Sequence, residues 1–122
     1  MLYSIAAITG GATFGALCRW LLTTYCGATF LSFGMLAANW IGAFLIGLLA
    51  EWIHHPQLKL LLLTGFLGSF TTFSGFSLEV VSLIHAQRWQ EAFISAALHL
   101  FGSLALTAAG IWLAQTLKST VS

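Results

Sequence analysis

The stretch GFLGSFTTFSGFSLE, residues 65–79, mixes hydroxyl residues, phenylalanines and glycines in a chain that is otherwise strongly apolar. Glycine weakens a helix, and serine and threonine side chains compete with the backbone for its hydrogen bonds. We therefore predict that the helix containing this stretch is broken between residues 68 and 72. Many transporters and channels build ion sites at such breaks. The stretch is thus a candidate ion site.

The composition of the whole chain is that of a membrane protein. Of its 122 residues, 59% are hydrophobic and 6% are charged, whereas soluble domains carry about 25% charged residues. The formal net charge of +1 supplies no basic cluster for nucleic acid, so no nucleic-acid partner is expected. The first apolar run has no basic leader, which favours a retained membrane span over a signal peptide.

Four segments are apolar for the roughly 20 residues that a membrane helix needs. They lie at about 2–24, 33–53, 59–84 and 92–117. We predict an all-α membrane protein with a single four-helix transmembrane domain, residues 1–122, whose third helix is broken near its middle. The connecting segments are short, so consecutive spans should be antiparallel neighbours.

The positive residues that normally set membrane orientation are evenly divided between the two ends of these spans. Lys59 and Lys118 fall on one side of the predicted bundle, and Arg19 and Arg88 fall on the other. Two positive residues on each side favour neither orientation, and we expect the chain to insert in both.

Arg19 in span one and Asn39 in span two are groups that a membrane interior tolerates only when they are partnered or wet. Arg19, near the end of span one, is typical of an arginine that reaches for the interface beside Trp20, and it could also attract anions into a vestibule. Asn39, about two turns into span two, is equally consistent with bonding between helices and with lining a pore.

A polar stripe runs along the fourth span. Residues four apart share one face of a helix, and the stripe consists of Ser95, His99, Ser103 and Thr107. One hydroxyl residue could satisfy itself on its own helix, whereas a stripe of this length is more typical of the wall of a polar path. By itself, His99 is more typical of a packing residue.

Phe73 and Phe76 combine with Ser74 and Ser77 to present a ring face beside a hydroxyl face, and Glu79 follows three residues after Phe76. The edge of a phenyl ring carries partial positive charge, and hydroxyl donors can replace part of a hydration shell. The combination suits a small, tightly hydrated anion, whereas two rings alone would favour simple packing.

Three blocks of the chain resemble the Fluc (CrcB) fluoride channel family. They are GGATFGALCRW at 10–20, GMLAANWIGAFLIG at 34–47 and GFLGSFTTFSGFSLE at 65–79. The resemblance implies a passive, fluoride-specific channel that exports fluoride from the bacterial cytoplasm across the inner membrane. It also implies an antiparallel, dual-topology homodimer with two pores lined by both subunits.

The resemblance further implies roles for individual residues. The implied fluoride pathway consists of the rings of Phe73 and Phe76 with Asn39, Ser74, Ser103, Thr107, Arg19 and Glu79. The backbone carbonyls of Gly68 and Thr71 would hold a structural sodium ion that is not transported. Two residues depart from the common family pattern: Ser69 replaces a glycine and Gly75 replaces a threonine. Ser69 is still small, so the break should persist, whereas Gly75 removes one hydroxyl.

A multidrug transporter, a structural membrane subunit and an enzyme are the alternatives to a fluoride channel. A small multidrug-resistance-type transporter is also a short dual-topology dimer, but it depends on an acidic residue in its first span, and here Glu79 lies late in the third. A structural membrane subunit would need neither the stripe nor the break. An enzyme is not expected, because no nucleophile–base pair is visible.

Overall fold

The computed structural model describes residues 1–121, and in this part of the chain four helices are long and apolar enough to cross a membrane. The helices are α1 (Leu2–Tyr25), α2 (Phe33–Trp52), the segmented third span and α6 (Trp89–Val121). The third span, Pro56–His85, consists of α3 (Pro56–Leu58), a π-helix (Lys59–Leu67), α4 (Gly68–Phe70) and α5 (Phe73–His85). The all-helical architecture agrees with the prediction.

Two spans begin earlier than their hydropathy predicts, because local capping extends them. The third begins at Pro56 instead of about residue 59: proline suits the first turn of a helix, and the His55 side chain accepts a hydrogen bond from the Gln57 N–H. The fourth begins at Trp89 instead of about residue 92, and an Arg88–Glu91 ion pair spans its first turn.

The predicted break is present, and it is narrower than the expected range of 68–72. Gly68–Phe70 is helical, and only Thr71 and Thr72 have extended backbone, with ψ angles of 160° and 119°. The threonine side chains explain this position. Thr72 Oγ1 accepts a hydrogen bond from the Gly75 N–H at 3.0 Å and so caps α5, while Thr71 Oγ1 donates to the Leu67 carbonyl.

The helices approach closely where glycine faces backbone. A Cβ atom placed on Gly11 would lie 2.0 Å from the Leu61 carbonyl oxygen of the third span, and one on Gly47 would lie 2.2 Å from the Thr107 carbonyl oxygen of α6. Lipid supplies no hydrophobic drive between helices, so membrane helices pack through such small residues. These contacts bring α1 against the first half of the third span, and α2 against α6.

The buried core of this bundle is small. It centres on Ala38, Leu67 and Phe70, which join α2 to the residues just before the break. Many large apolar side chains are exposed, among them Phe73 at 76%. In a membrane, lipid or a partner chain covers such surfaces.

The two ends of the bundle carry the charges expected from the sequence. The Lys118 ammonium contacts Glu51, so the last turns of α2 and α6 lie at the same end of the bundle. Arg88 and Glu91 pair at the opposite end. Lys118 and Arg88 therefore lie at opposite ends of the bundle, whereas Arg19 donates to the Ser69 carbonyl beside the break and does not lie at an end.

We predict that Gly11→Ala destabilises the fold, whereas Gly10→Ala does not. The Gly11 substitution forces a methyl group into the Leu61 carbonyl, and overpacking of this kind costs about 1–3 kcal/mol. A Cβ on Gly10 meets nothing within 4 Å, and both changes raise helix propensity alike. The free energies of unfolding in detergent micelles, from matched denaturation curves, check this. Equal stability of the two variants would contradict the close packing.

Candidate functional site

An open groove of about 390 Å³ lies between α2, the broken third span and α6. Its lining includes the residues Asn39, Gly68, Thr71, Thr72, Phe73, Phe76, His99, Ser103 and Thr107. Leucines of the third span and of α6, together with Gly42, Ala43 and Ile46 of α2, form the apolar remainder. The fold thus brings together five of the predicted pathway residues, namely Asn39, Phe73, Phe76, Ser103 and Thr107, from three different spans.

Asn39 holds the break together. The Thr72 N–H donates to Asn39 Oδ1 at 2.7 Å, and Asn39 Nδ2 donates to the Thr72 carbonyl at 3.0 Å. One side-chain amide therefore satisfies both backbone groups of an extended residue at membrane depth. The sequence left two roles open for Asn39, and the structure combines them: the amide bonds to a neighbouring helix, and it also lines the groove.

The two predicted rings pack edge to face. The centroids of Phe73 and Phe76 are 5.4 Å apart, with an angle of 71° between the ring planes. Phe76 also packs against the imidazole of His99, with centroids 4.8 Å apart. Phe76 is therefore held between a ring of its own helix and one of α6, whereas Phe73 projects from the protein surface.

The polar stripe of α6 lies against the rest of the bundle. Ser95 is fully buried and donates to Glu79 Oε2 at 2.7 Å, and Thr107 donates to the Ala43 carbonyl at 2.9 Å. His99 Nδ1 lies 3.1 Å from Asn39 Nδ2. Ser103 lines the groove between these residues. The stripe is therefore one wall of the groove, and Ser95 extends it towards Glu79.

Glu79 connects three elements from behind this wall. Its Oε1 accepts from the Ser32 N–H at 2.8 Å, its Oε2 accepts from Ser95, and its Oε2 lies 3.6 Å from His99 Nε2. Glu79 is not part of the groove lining. Its carboxylate thus joins the start of α2 to α5 and α6.

Arg19 and Ser74 also lie outside the groove lining of a single chain. Arg19 Nε donates to the Ser69 carbonyl at 3.1 Å, which ties α1 to the end of the helix before the break. Ser74 lies on the first turn of α5, where its hydroxyl is 3.3 Å from Thr72 Oγ1. Both residues therefore contact the break itself.

Sequence reasoning missed Thr72 and Ser32. Thr72 caps α5 and is the residue that Asn39 holds, while Ser32 caps α2 and donates its N–H to Glu79. Each is a hydroxyl residue immediately before an apolar helical run, which is a recognised start signal. That signal could have located both caps, but not their partners on other helices.

Two carbonyls at the break lose their usual helical donors. In a continuous α-helix the Gly68 and Thr71 carbonyls would accept from the N–H groups four residues later, those of Thr72 and Gly75. Here the Thr72 N–H donates to Asn39 and the Gly75 N–H donates to the Thr72 hydroxyl. Both carbonyl-bearing residues line the groove. These oxygens are the kind of ligand that a hard cation takes.

The chain resembles known proteins along nearly its whole length. Residues 6–111 match the family described as CrcB-like protein, Camphor Resistance (CrcB). A protein of Neisseria meningitidis serogroup B named fluoride-specific ion channel FluC is 50% identical over 119 residues, covering 97% of this chain and 100% of the relative. Proteins of the same name from Albidiferax ferrireducens and Chromohalobacter salexigens are each 47% identical, over 117 and 118 residues, covering 91% of this chain and 90% and 89% of theirs.

The match extends across all four spans and includes the break, the groove and the polar stripe. The helices and these relatives together indicate a multi-pass membrane protein. As the three sequence blocks indicated, this chain belongs to the CrcB family.

Proposed function

We propose that this protein is a fluoride-specific ion channel of the bacterial inner membrane. It lets fluoride leave the cytoplasm down its gradient and so reduces fluoride toxicity. The observation that carries the proposal is the edge-to-face pair of Phe73 and Phe76 in a groove shared with Asn39. Relatives about half identical to this chain are named fluoride-specific ion channels.

The chemistry of the groove suits a small anion that must shed water. Ring edges offer partial positive charge without bringing water, and the Ser103 hydroxyl offers a donor. A carboxylate facing the path would repel fluoride strongly in a low-dielectric site. Glu79 is held behind the wall, where Ser32 and Ser95 donate to its two oxygens.

The remaining pathway residues border the groove. Arg19, Ser74 and Glu79 lie next to the break or behind the wall in a single chain, and their contact with fluoride stays a prediction. Arg19 would attract anions towards the pathway, because a guanidinium group is always charged. Thr107 donates its hydroxyl hydrogen to the Ala43 carbonyl, so it would donate to fluoride only if that hydrogen bond opened.

A structural sodium ion at the break is part of the proposal. The carbonyls of Gly68 and Thr71 would hold it, and the displacement of their usual helical donors supports this role. The ion would neutralise exposed carbonyl dipoles at membrane depth, where each unsatisfied group costs several kcal/mol. It would stay bound while fluoride passes.

The functional unit in this proposal is an antiparallel homodimer with two pores. The groove is open, and Phe73, on which the path depends, is 76% exposed in one chain. A partner copy related by a two-fold axis in the membrane plane would cover both grooves and bring the two breaks together. Insertion in both orientations agrees with the placement of Lys118 and Arg88 at opposite ends of the bundle.

We expect liposomes that contain the purified protein to release fluoride much faster than chloride. We also expect Phe73→Ile and Phe76→Ile each to cut fluoride release at least about tenfold. Isoleucine keeps apolar bulk but removes the ring edge. A fluoride electrode measures efflux when valinomycin balances the charge with potassium.

Phe14→Ile is the matched control for these ring substitutions. Phe14 is also an exposed phenylalanine, at 67%, but it lies on α1 outside the groove. Its variant should conduct like the parent protein. Fluoride efflux no faster than from protein-free liposomes would refute the channel. Full fluoride efflux through both ring variants would show that Phe73 and Phe76 serve only in packing.

We expect fluoride release to fall severalfold when N-methylglucamine replaces sodium on both sides of the membrane, and to recover when sodium returns. The large cation does not fit carbonyl oxygens at the break, which would then lack a partner. A parallel measurement with radioactive sodium should detect no sodium flux above the leak. Undiminished fluoride release without sodium would argue against the site.

We expect a topology reporter fused to the C-terminus to report both orientations in cells. Adding lysines to one end of the bundle should trap a single orientation and abolish fluoride release. Co-expression with the oppositely biased variant should restore it. A variant with the same number of lysines divided between both ends is the control for added charge. Activity of a singly oriented variant alone would rule out antiparallel pairing.

A further inference from the structure

We infer that His99 is a positioning residue that works in its neutral form, with its proton on Nε2, and that it fixes the Asn39 amide that holds the break at Thr72. The inference rests on the proposed function only for its flux measurements. The imidazole of His99 is buried, 4% exposed, and its two nitrogens face groups of opposite hydrogen-bonding character.

The orientation of the Asn39 amide is determined by the backbone of Thr72. Oδ1 accepts from the Thr72 N–H, and Nδ2 donates to the Thr72 carbonyl. A flipped amide would place a donor against the N–H and an acceptor against the carbonyl, so it would lose both bonds. The atom that faces His99 is therefore the amide nitrogen, which has only hydrogens to offer.

The amide nitrogen in turn determines the state of His99. Nδ2 has two hydrogens: one is donated to Thr72, and the other points to His99 Nδ1 at 3.1 Å. Nδ1 must then accept, so it carries no proton, and the single proton of a neutral imidazole lies on Nε2. A doubly protonated ring would put an N–H against an N–H and break the contact.

The surroundings of Nε2 agree with this assignment. Nε2 is buried without a hydrogen-bond partner, and Glu79 Oε2 of α5 is 3.6 Å away. A proton on Nε2 points its partial positive charge towards that carboxylate. Asn39, which faces the ring from α2, is neutral. Ser95, on the same helix as His99, donates to the Glu79 carboxylate. Glu79 is the charged group in contact with His99.

The consequence is a chain of contacts from Glu79 through His99 and Asn39 to the break. Its far end positions Thr72, the cap of α5, and so the first turn of α5, from which Phe73 projects. The ring of His99 also supports Phe76. Protonation at Nδ1 would free the Asn39 amide and loosen the break. Fluoride release should therefore fall at acid pH.

The test compares His99→Asn with His99→Leu in liposomes. The two side chains have similar shape, but asparagine can place an acceptor where Nδ1 lies and cannot be protonated. We expect His99→Asn to keep at least about half of the parent flux. His99→Leu should lose about tenfold, because it leaves a half-buried amide donor unpaired.

The same variants are measured between about pH 7.5 and about pH 5.5, the range in which histidine titrates. The parent flux should fall severalfold on acidification, after subtraction of the leak from protein-free liposomes at each pH, while His99→Asn should stay level. The control variant combines His54→Gln, His55→Asn and His85→Gln, which replace the other three of the four histidines. It should keep the parent pH profile.

A spectrum separates failure of this inference from failure of the channel. Nitrogen-15 NMR of the histidine-labelled parent protein should report one histidine with Nε2 protonated and Nδ1 bare, absent in His99→Asn. A proton on Nδ1 at neutral pH overturns the inference whether or not the protein conducts. Because the spectrum is recorded on the parent protein, it remains a test even if His99→Leu does not assemble. Full flux in His99→Leu, equal losses in both variants, or equal pH profiles of parent and His99→Asn would overturn it too.

Discussion

The paired hydrogen bonds between the Asn39 amide and the backbone of Thr72 are the contact on which the rest of the site depends. An extended residue within a membrane span leaves an N–H and a carbonyl without helical partners, and each would cost several kcal/mol in lipid. Asn39 satisfies both, at 2.7 and 3.0 Å. The third span can therefore stop at Phe70 and start again at Phe73, and the new start sets the direction in which the phenylalanine pair leaves the backbone.

The rest of the bundle maintains this contact. Glycine-to-backbone packing holds α2 against α6, which keeps Asn39 beside the polar stripe. Arg19 ties α1 to the carbonyl of Ser69 just before the break, and Glu79 ties the start of α2 to α6. Arg19, Asn39 and Glu79 thus have backbone partners, and the groove is left with ring edges and hydroxyls, a lining suited to an anion.

Much of the architecture follows from the sequence, because it depends on local properties. Hydropathy over about 20 residues locates four spans, and the glycines and threonines of residues 65–79 locate a break. Four-residue spacing places His99, Ser103 and Thr107 on one face of α6, where they line the groove. Local capping explains the departures: Pro56 starts the third span early, and threonine side chains confine the break to Thr71 and Thr72.

Only the tertiary structure decided which polar groups meet. Asn39 and Thr72 are 33 residues apart, Glu79 and Ser32 are 47 apart, and Arg19 and Ser69 are 50 apart. No periodicity links such positions, because their contact depends on how closely four helices pack and at what rotation. For the same reason the sequence suggested packing for His99, whereas the fold places it between Asn39 and Glu79. Residue types and spacing determined the spans and the candidate site, and helix packing decided the partners.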